Sequence, residues 1–222
     1  SRLRFQAPLG ANEVTRNAYD YYPTPPEAAL PLMKFIKEHK VGVERGRALD
    51  PAAGSGALPR WLEPLGCQWH AKELCSEWEG VLLDTPGVEL VDLEDSLSSE
   101  WPPVHVIANP PFGKLLVRFM SKIHAHCRKH KVFGAVLVPA PWWGESKRAQ
   151  MWRPDFLVWI TGGMRFKLTE STVPTTHVWS VFMPEGRGFT QLVWEPPGEP
   201  TADQRAMHKR MMKFDPFQLE LF

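Results

Sequence analysis

Two loops in this chain carry residues whose types and order could do chemistry. The first is Asp50-Pro51-Ala52-Ala53-Gly54-Ser55-Gly56; the second, about fifty residues on, is Asn109-Pro110-Pro111-Phe112. Gly54 and Gly56 permit a tight turn and let backbone approach a ligand closely. The acid that opens the turn suits a zwitterionic, cation-bearing ligand better than a pyrophosphate. The third glycine of a dinucleotide fingerprint is missing at its spacing, which counts against a nicotinamide enzyme. In the second loop, the side-chain carbonyl of Asn109 and the backbone carbonyl of Pro110 can each accept one hydrogen of a planar amine. The prolines Pro110 and Pro111 keep those acceptors in place, and Phe112 offers a face on which a flat ring can stack.

The elements that must position these loops are legible on either side of them. Each loop follows a short apolar run that reads as a buried strand, Ala48-Leu49 before the first and Val104 to Ala108 before the second. Further strands are expected at Trp69–Glu73, Val88–Asp92, Val132–Val138, Phe156–Ile160, His177–Met183 and Thr190–Trp194. Helical patterns follow Pro25-Pro26, run over Leu58–Leu65 and begin again after Phe112. Strands alternating with helices over the first 140 residues predict an α/β fold. We expect a single doubly wound, mostly parallel seven-stranded sheet with an antiparallel edge strand. Residues 1–20 read as an N-terminal arm, 21–195 as the domain, and 196–222 as a polar, proline-bearing tail.

Composition bounds the class. The 222 residues are 43% hydrophobic and 23% charged, enough for one substantial core. No run approaches a membrane span, and Cys67, Cys75 and Cys127 are odd in number without a Cys-x-x-Cys pair. Neither a disulfide framework nor a metal site is expected, and a reducing cytoplasm is the default compartment. The net charge of +1 conceals polarity: residues 73–100 hold nine acids and no Lys or Arg, whereas residues 113–154 hold nine Lys or Arg and only Glu145 as an acid. A basic block starting directly after Phe112 points to a polyanionic partner.

The ordered pair of loops resembles the cofactor loop and catalytic loop of S-adenosylmethionine-dependent amino-methyltransferases, most closely those acting on adenine-N6 in DNA, including small phage-type enzymes. The resemblance runs from about Tyr21 to Trp194. It implies a Rossmann-like methyltransferase fold with S-adenosyl-L-methionine as cofactor. Its cofactor set falls on Tyr22, Thr24, Pro25, Asp50, Ala52, Gly54, Gly56, Glu73, Asp92, Leu93 and Asn109. Within that set Glu73 is expected on the ribose hydroxyls and Asp92 on the adenine amino group. The segment Tyr22-Pro23-Thr24-Pro25-Pro26 resembles the element that closes over the methionine end of the cofactor, although helix-start chemistry also accounts for its prolines. The catalytic set is Asn109, Pro110, Pro111 and Phe112, with the base extruded from the duplex onto Phe112. Similar loops occur in enzymes methylating guanine-N2 in RNA and glutamine amides in proteins, so the acceptor stays open at this point, as does a binding module that has lost catalysis.

Double-stranded DNA is the expected partner. Lys114, Arg118 and Lys122 recur every four residues, with His126 continuing the series, and Lys147, Arg148 and Arg153 follow later. Such a stripe is either a solvated helix face or a phosphate-contacting one. Trp142 and Trp143 are adjacent, and one of them is expected to stack on bases. The chain has no room for a separate target-recognition domain, so selectivity should be relaxed or confined to a very short motif. From Thr161 through Met164-Arg165-Phe166 to Phe182 the chain resembles the late hairpin of phage-type enzymes. Finally, Gln218-Leu219-Glu220-Leu221-Phe222 resembles the peptide by which replication and repair proteins dock on the bacterial sliding clamp, with Gln218, Leu219, Leu221 and Phe222 as anchors.

Overall fold

The computed structural model describes residues 22–162 and 176–213. The N-terminal arm, the stretch 163–175 and the terminal clamp-like peptide therefore lie outside the described residues. The chain order is α1 (Pro26–His39), β1 (Arg47–Asp50), α2 (Ala57–Trp61), β2 (Gln68–Glu73), α3 (Glu79–Leu83), β3 (Val88–Leu93), β4 (His105–Ala108), α4 (Lys114–His130), β5 (Gly134–Pro139), α5 (Ser146–Met151), β6 (Phe156–Ile160), β7 (His177–Phe182), β8 (Gln191–Glu195) and α6 (Ala202–Lys213). Among the described residues no helix is long and apolar enough to cross a membrane.

All eight strands join one sheet in the order β3-β2-β1-β4-β5-β7-β6-β8. The expected class holds, with one strand more than the seven anticipated. β7 runs antiparallel to both β5 and β6, while β8 pairs parallel with β6 and lies at the edge. The antiparallel strand is thus enclosed, and β8 extends the sheet beyond it. The chain steps outward from β1 to β3 and then returns to the other side of β1 as β4. The crevice at such a reversal, at the carboxyl ends of the strands, is where open α/β sheets bind ligands. Asp50 ends β1, and Asn109 directly follows β4.

Apolar side chains cover both faces of the sheet. One face packs Leu32, Phe35 and Ile36 of α1 against Ala48, Trp69, Phe133, Phe156 and Trp179. The other packs Leu116, Phe119, Met120, Ile123 and Cys127 of α4 against Leu49, Val106, Val136 and Phe182. Those α4 positions follow the three-and-four spacing of a buried helical stripe. Each such side chain contributes on the order of 1.5–3 kcal/mol by leaving water.

The polar stretch from Pro196 departs from the expected tail. Thr201 Oγ1 accepts from the Gln204 N–H, and the Gln204 side chain accepts from the Thr201 N–H, a reciprocal capping box that starts α6. His208 and Met211 on this helix are buried. The chain leading to it is held by a Lys34–Glu195 ion pair of 2.8 Å and by the Gly198 N–H donating to the Glu27 carbonyl.

Candidate active site

The glycine loop is built as a turn that only small residues can make. Gly54 and Gly56 have φ of 51° and 70°, the left-handed region that side chains rarely adopt. A Cβ on Gly56 would also lie 2.7 Å from the buried Thr85 hydroxyl. Gly56→Ala is therefore expected to cost about 2–4 kcal/mol, from backbone strain plus overpacking. Denaturant unfolding of the purified variant checks it; an unchanged midpoint would contradict this view of the loop.

Three anchors hold the loop at the strand ends. The Ala52 N–H donates to Asp50 Oδ1 at 3.2 Å, the Ala53 N–H to the Lys72 carbonyl at 3.1 Å, and the Gly54 N–H to Glu73 Oε2 at 2.8 Å. The other Glu73 oxygen accepts from the Leu74 and Cys75 N–H groups. Glu73 thus ties the glycine loop to the end of β2. Asp50 is 2% exposed, and its pKa is raised to about 7. Burial away from water is the main cause; the Ala52 N–H opposes it and the nearby Glu73 charge adds to it. A buried acid in this state pairs best with a cation.

Asp92 is engaged in a way the sequence did not announce. The register pairs Lys72 with Asp92 and Glu73 with Leu93. Because side chains alternate along a strand, Leu93 shares a face with Glu73 and Asp92 falls on the other. There Asp92 Oδ2 binds His70 Nε2 at 2.7 Å and Lys72 Nζ at 3.1 Å, and Lys72 also pairs with Glu94. Burial alone would lower the Lys72 pKa, but its bonds to Glu94 and Asp92 outweigh that and raise it. Burial likewise pushes the Asp92 pKa up, and the Lys72 and His70 contacts overcome it and lower it. The Asp92 carboxylate therefore braces the junction of β2 and β3.

The second loop has its acceptor set by a hydrogen bond on the opposite side of the amide. Asn109 Nδ2 donates to the Tyr22 carbonyl at 3.1 Å. That leaves Oδ1 buried, with no partner among the described residues. A buried amide oxygen without a partner is costly, and such atoms concentrate where a ligand supplies the missing donor. Pro110 is buried beside it. Phe112 is half-buried, stacked on Tyr22 with ring centroids 5.9 Å apart, and also lies 6.0 Å from the His177 ring. His177, 2% exposed at the start of β7, is a site residue the sequence did not single out.

The basic stripe is only partly a surface feature. Repeats of four on a helix of 3.6 residues per turn drift by about 40° each, so three steps turn a solvent position toward the core. Lys114 and Arg118 are accordingly exposed, Lys122 is half-buried, and His126 is buried with Nε2 bonded to the Val104 carbonyl. Lys122 donates to the Ser96, Leu97 and Ser99 carbonyls and lies 4.6 Å from the Trp101 ring centroid. It fastens the acidic loop to α4, so this member of the stripe expected on DNA is engaged within the fold. We expect Lys122→Met to lose about 2 kcal/mol of stability and leave nucleic-acid affinity unchanged. Thermal unfolding and a binding titration check this together, and weakened binding at unchanged stability would contradict it.

The tryptophan pair is corrected as well. Ala140–Gly144 forms a 3-10 turn on which Trp142 is buried and Trp143, half-buried, packs against the same cluster. Trp142 is buried and stacked on Trp152 with centroids 5.5 Å apart, and Trp143 donates its indole N–H to Ser180 Oγ at 2.9 Å. Arg148 covers Trp142 and pairs with Glu145 at 2.9 Å. Of the residues expected on DNA, Lys114, Arg118, Lys147 and Arg153 are exposed, with Arg153 donating to the Gly188 carbonyl.

No family model matches this chain, and no curated protein matches it in sequence. Solved structures match it in fold. A Pyrococcus horikoshii protein described as a candidate RNA methyltransferase is 20% identical, with 74% of this chain and 87% of that one aligned at a TM-score of 0.59. The methyltransferase subunit of a type I restriction-modification system from Streptococcus thermophilus is 14% identical, with 87% of this chain aligned at a TM-score of 0.57. The match covers 54% of that subunit, so this chain spans about half its length. The likeness is one of fold.

Proposed function

We propose that this chain transfers a methyl group from S-adenosyl-L-methionine to the exocyclic N6 amine of adenine in double-stranded DNA. The observation that carries the reading is the Asn109 amide: its nitrogen is held by Tyr22 and its buried oxygen is left for a donor. It stands at the end of β4, across the topological switch from the buried acid and glycine turn that end β1. These residues fit the cofactor. The Asp50 carboxyl suits its cationic end, the Gly54–Gly56 turn suits close backbone approach, and Glu73 is a carboxylate at the neighbouring strand end. When bound, the cofactor supplies a methyl group activated by the sulfonium.

The remaining work belongs to the protein. An adenine amine is a poor nucleophile because its lone pair is delocalised into the ring. Asn109 Oδ1 and the Pro110 carbonyl accept its two hydrogens, drawing the nitrogen toward tetrahedral geometry and freeing the lone pair. Phe112, buttressed by Tyr22 and His177, stacks on the extruded base. The methylated nitrogen loses its extra proton to solvent.

A second reading, methylation of guanine-N2 in RNA, uses the same two acceptors, and the Pyrococcus horikoshii neighbour brings it forward. The Asn-Pro-Pro-Phe loop serves both readings, and the Gln218–Phe222 peptide, which resembles sequences of DNA-acting proteins, favours DNA. Docking of that terminus on the sliding clamp would raise local DNA concentration and offset weak sequence readout. The test is labelled methyl transfer to duplex DNA, structured RNA and protein side by side. Incorporation into DNA alone is expected; incorporation confined to RNA or protein would replace this reading.

A further inference from the structure

The segment Tyr22-Pro23-Thr24-Pro25 is made to offer acceptors. Residues preceding proline are biased to extended backbone, and prolines have no N–H to donate. Three successive carbonyls of this strap are taken by three separate parts of the fold. Tyr22 accepts from Asn109 Nδ2 at 3.1 Å, Pro23 from His208 Nε2 at 3.3 Å, and Thr24 from the Trp61 indole N–H at 2.8 Å. Thr24, His208 and Trp61 are all buried. Because Pro23 presents only a carbonyl oxygen, His208 Nε2 carries the hydrogen.

We infer that α6, through His208, is a positioning element of the active site: it pins the strap whose Tyr22 carbonyl fixes the orientation of the Asn109 amide. The inference rests on the catalytic role proposed for Asn109. An amide rotated by half a turn would present NH2 where the substrate amine needs an acceptor, so the Tyr22 bond decides whether Asn109 can work. The Tyr22 ring stacks on Phe112, and the carbonyls on the far side of the strap are held as well. His208 supplies that hold from α6, and Trp61 supplies it from the helix that follows the glycine loop. The strap thereby couples the catalytic amide to both the cofactor loop and the C-terminal helix.

The experiment uses the full chain and four variants. His208→Leu removes the donor, His208→Gln keeps an N–H at similar reach, Trp61→Phe removes the second pin, and Met211→Ala truncates another buried side chain of the same helix without touching the His208 donor. His208→Leu and Trp61→Phe are expected to lower kcat at saturating cofactor by between about tenfold and a hundredfold. His208→Gln should restore most of the rate, and Met211→Ala should stay within about twofold of the wild type despite a comparable loss of Tm. Nuclear magnetic resonance of the Asn109 side-chain amide, assigned with Asn109→Ala, gives a readout that needs no turnover. Its slowed hydrogen exchange should vanish in His208→Leu and Trp61→Phe and persist in Met211→Ala. Equal kcat and equal exchange in the His208→Leu and Met211→Ala proteins would overturn the inference. Should His208→Leu fail to fold, the Trp61→Phe and His208→Gln results decide it alone. A wild type that transfers no methyl group to any acceptor would refute the proposed function, whereas the exchange measurement would still decide the role of α6.

Discussion

Replacing Asn109 with alanine is expected to lower methyl transfer by at least about a hundredfold and cofactor affinity by far less, since Asn109 is one contact of an extended cofactor set. Asn109 Oδ1 is buried without a partner among the described residues, so its hydrogen bond to the substrate amine is made in the complex and strengthens as the nitrogen rehybridises. Removing it leaves the cofactor loop at the end of β1 untouched. Asn109→Asp is expected to be equally slow, because it loses the Nδ2 donor that Tyr22 holds and sets two oxygens in apposition. Initial rates at saturating cofactor, with calorimetric titration of the cofactor, measure both quantities. A variant that keeps most of its turnover would contradict the catalytic assignment.

The second large effect is expected at Asp50. Its pKa in the free protein is about 7, far above the ordinary carboxylate range, mainly through burial. Below that pH it is mostly neutral; a cationic ligand stabilises the ionised form and so must displace a proton. Cofactor affinity should therefore rise with pH, by up to about tenfold per unit below pH 7, and level off above it. Asp50→Asn should bind at least about tenfold more weakly at pH 8 and show a much flatter profile. Folding carries the opposite sign. A raised acid pKa gives stability that is full below the ordinary carboxylate range and lost as pH rises through about 7, so the free chain should become less stable from pH 5 to pH 8. Calorimetry and thermal unfolding across that range test both slopes. A wild-type profile identical to that of Asp50→Asn would contradict the assignment.

The parts legible in the sequence are those governed by local chemistry. Asp50 and Asn109 were found because glycine and proline punctuate the chain where strands end, and strand ends are where a parallel sheet places its ligands. The limits of the eight strands were close to those observed, since short apolar runs bounded by turns leave little choice. What escaped depends on relations between distant segments. Adjacent tryptophans read as unable to share a core, yet Trp142 is buried and half-buried Trp143 packs against the same cluster, its indole held by Ser180. Lys122 looked like a surface cation because a repeat of four was read as one face, while the helix drifts away from it. Asp92 looked free because nothing local shows that His70 and Lys72 share its face. Helix α6 had a local signal, the Thr201-x-x-Gln204 capping box, with Met207, His208 and Met211 at helical spacing beyond it. Polarity and prolines around it mask that signal and read as a tail.

The most direct test of the account is nucleoside analysis of duplex DNA incubated with the full chain and S-adenosyl-L-methionine carrying a labelled methyl group. Digestion to nucleosides and mass spectrometry should find the label in N6-methyladenine, absent when Asn109→Ala replaces the wild type. Label in any other nucleoside, or none in DNA while RNA guanine is labelled, would contradict it.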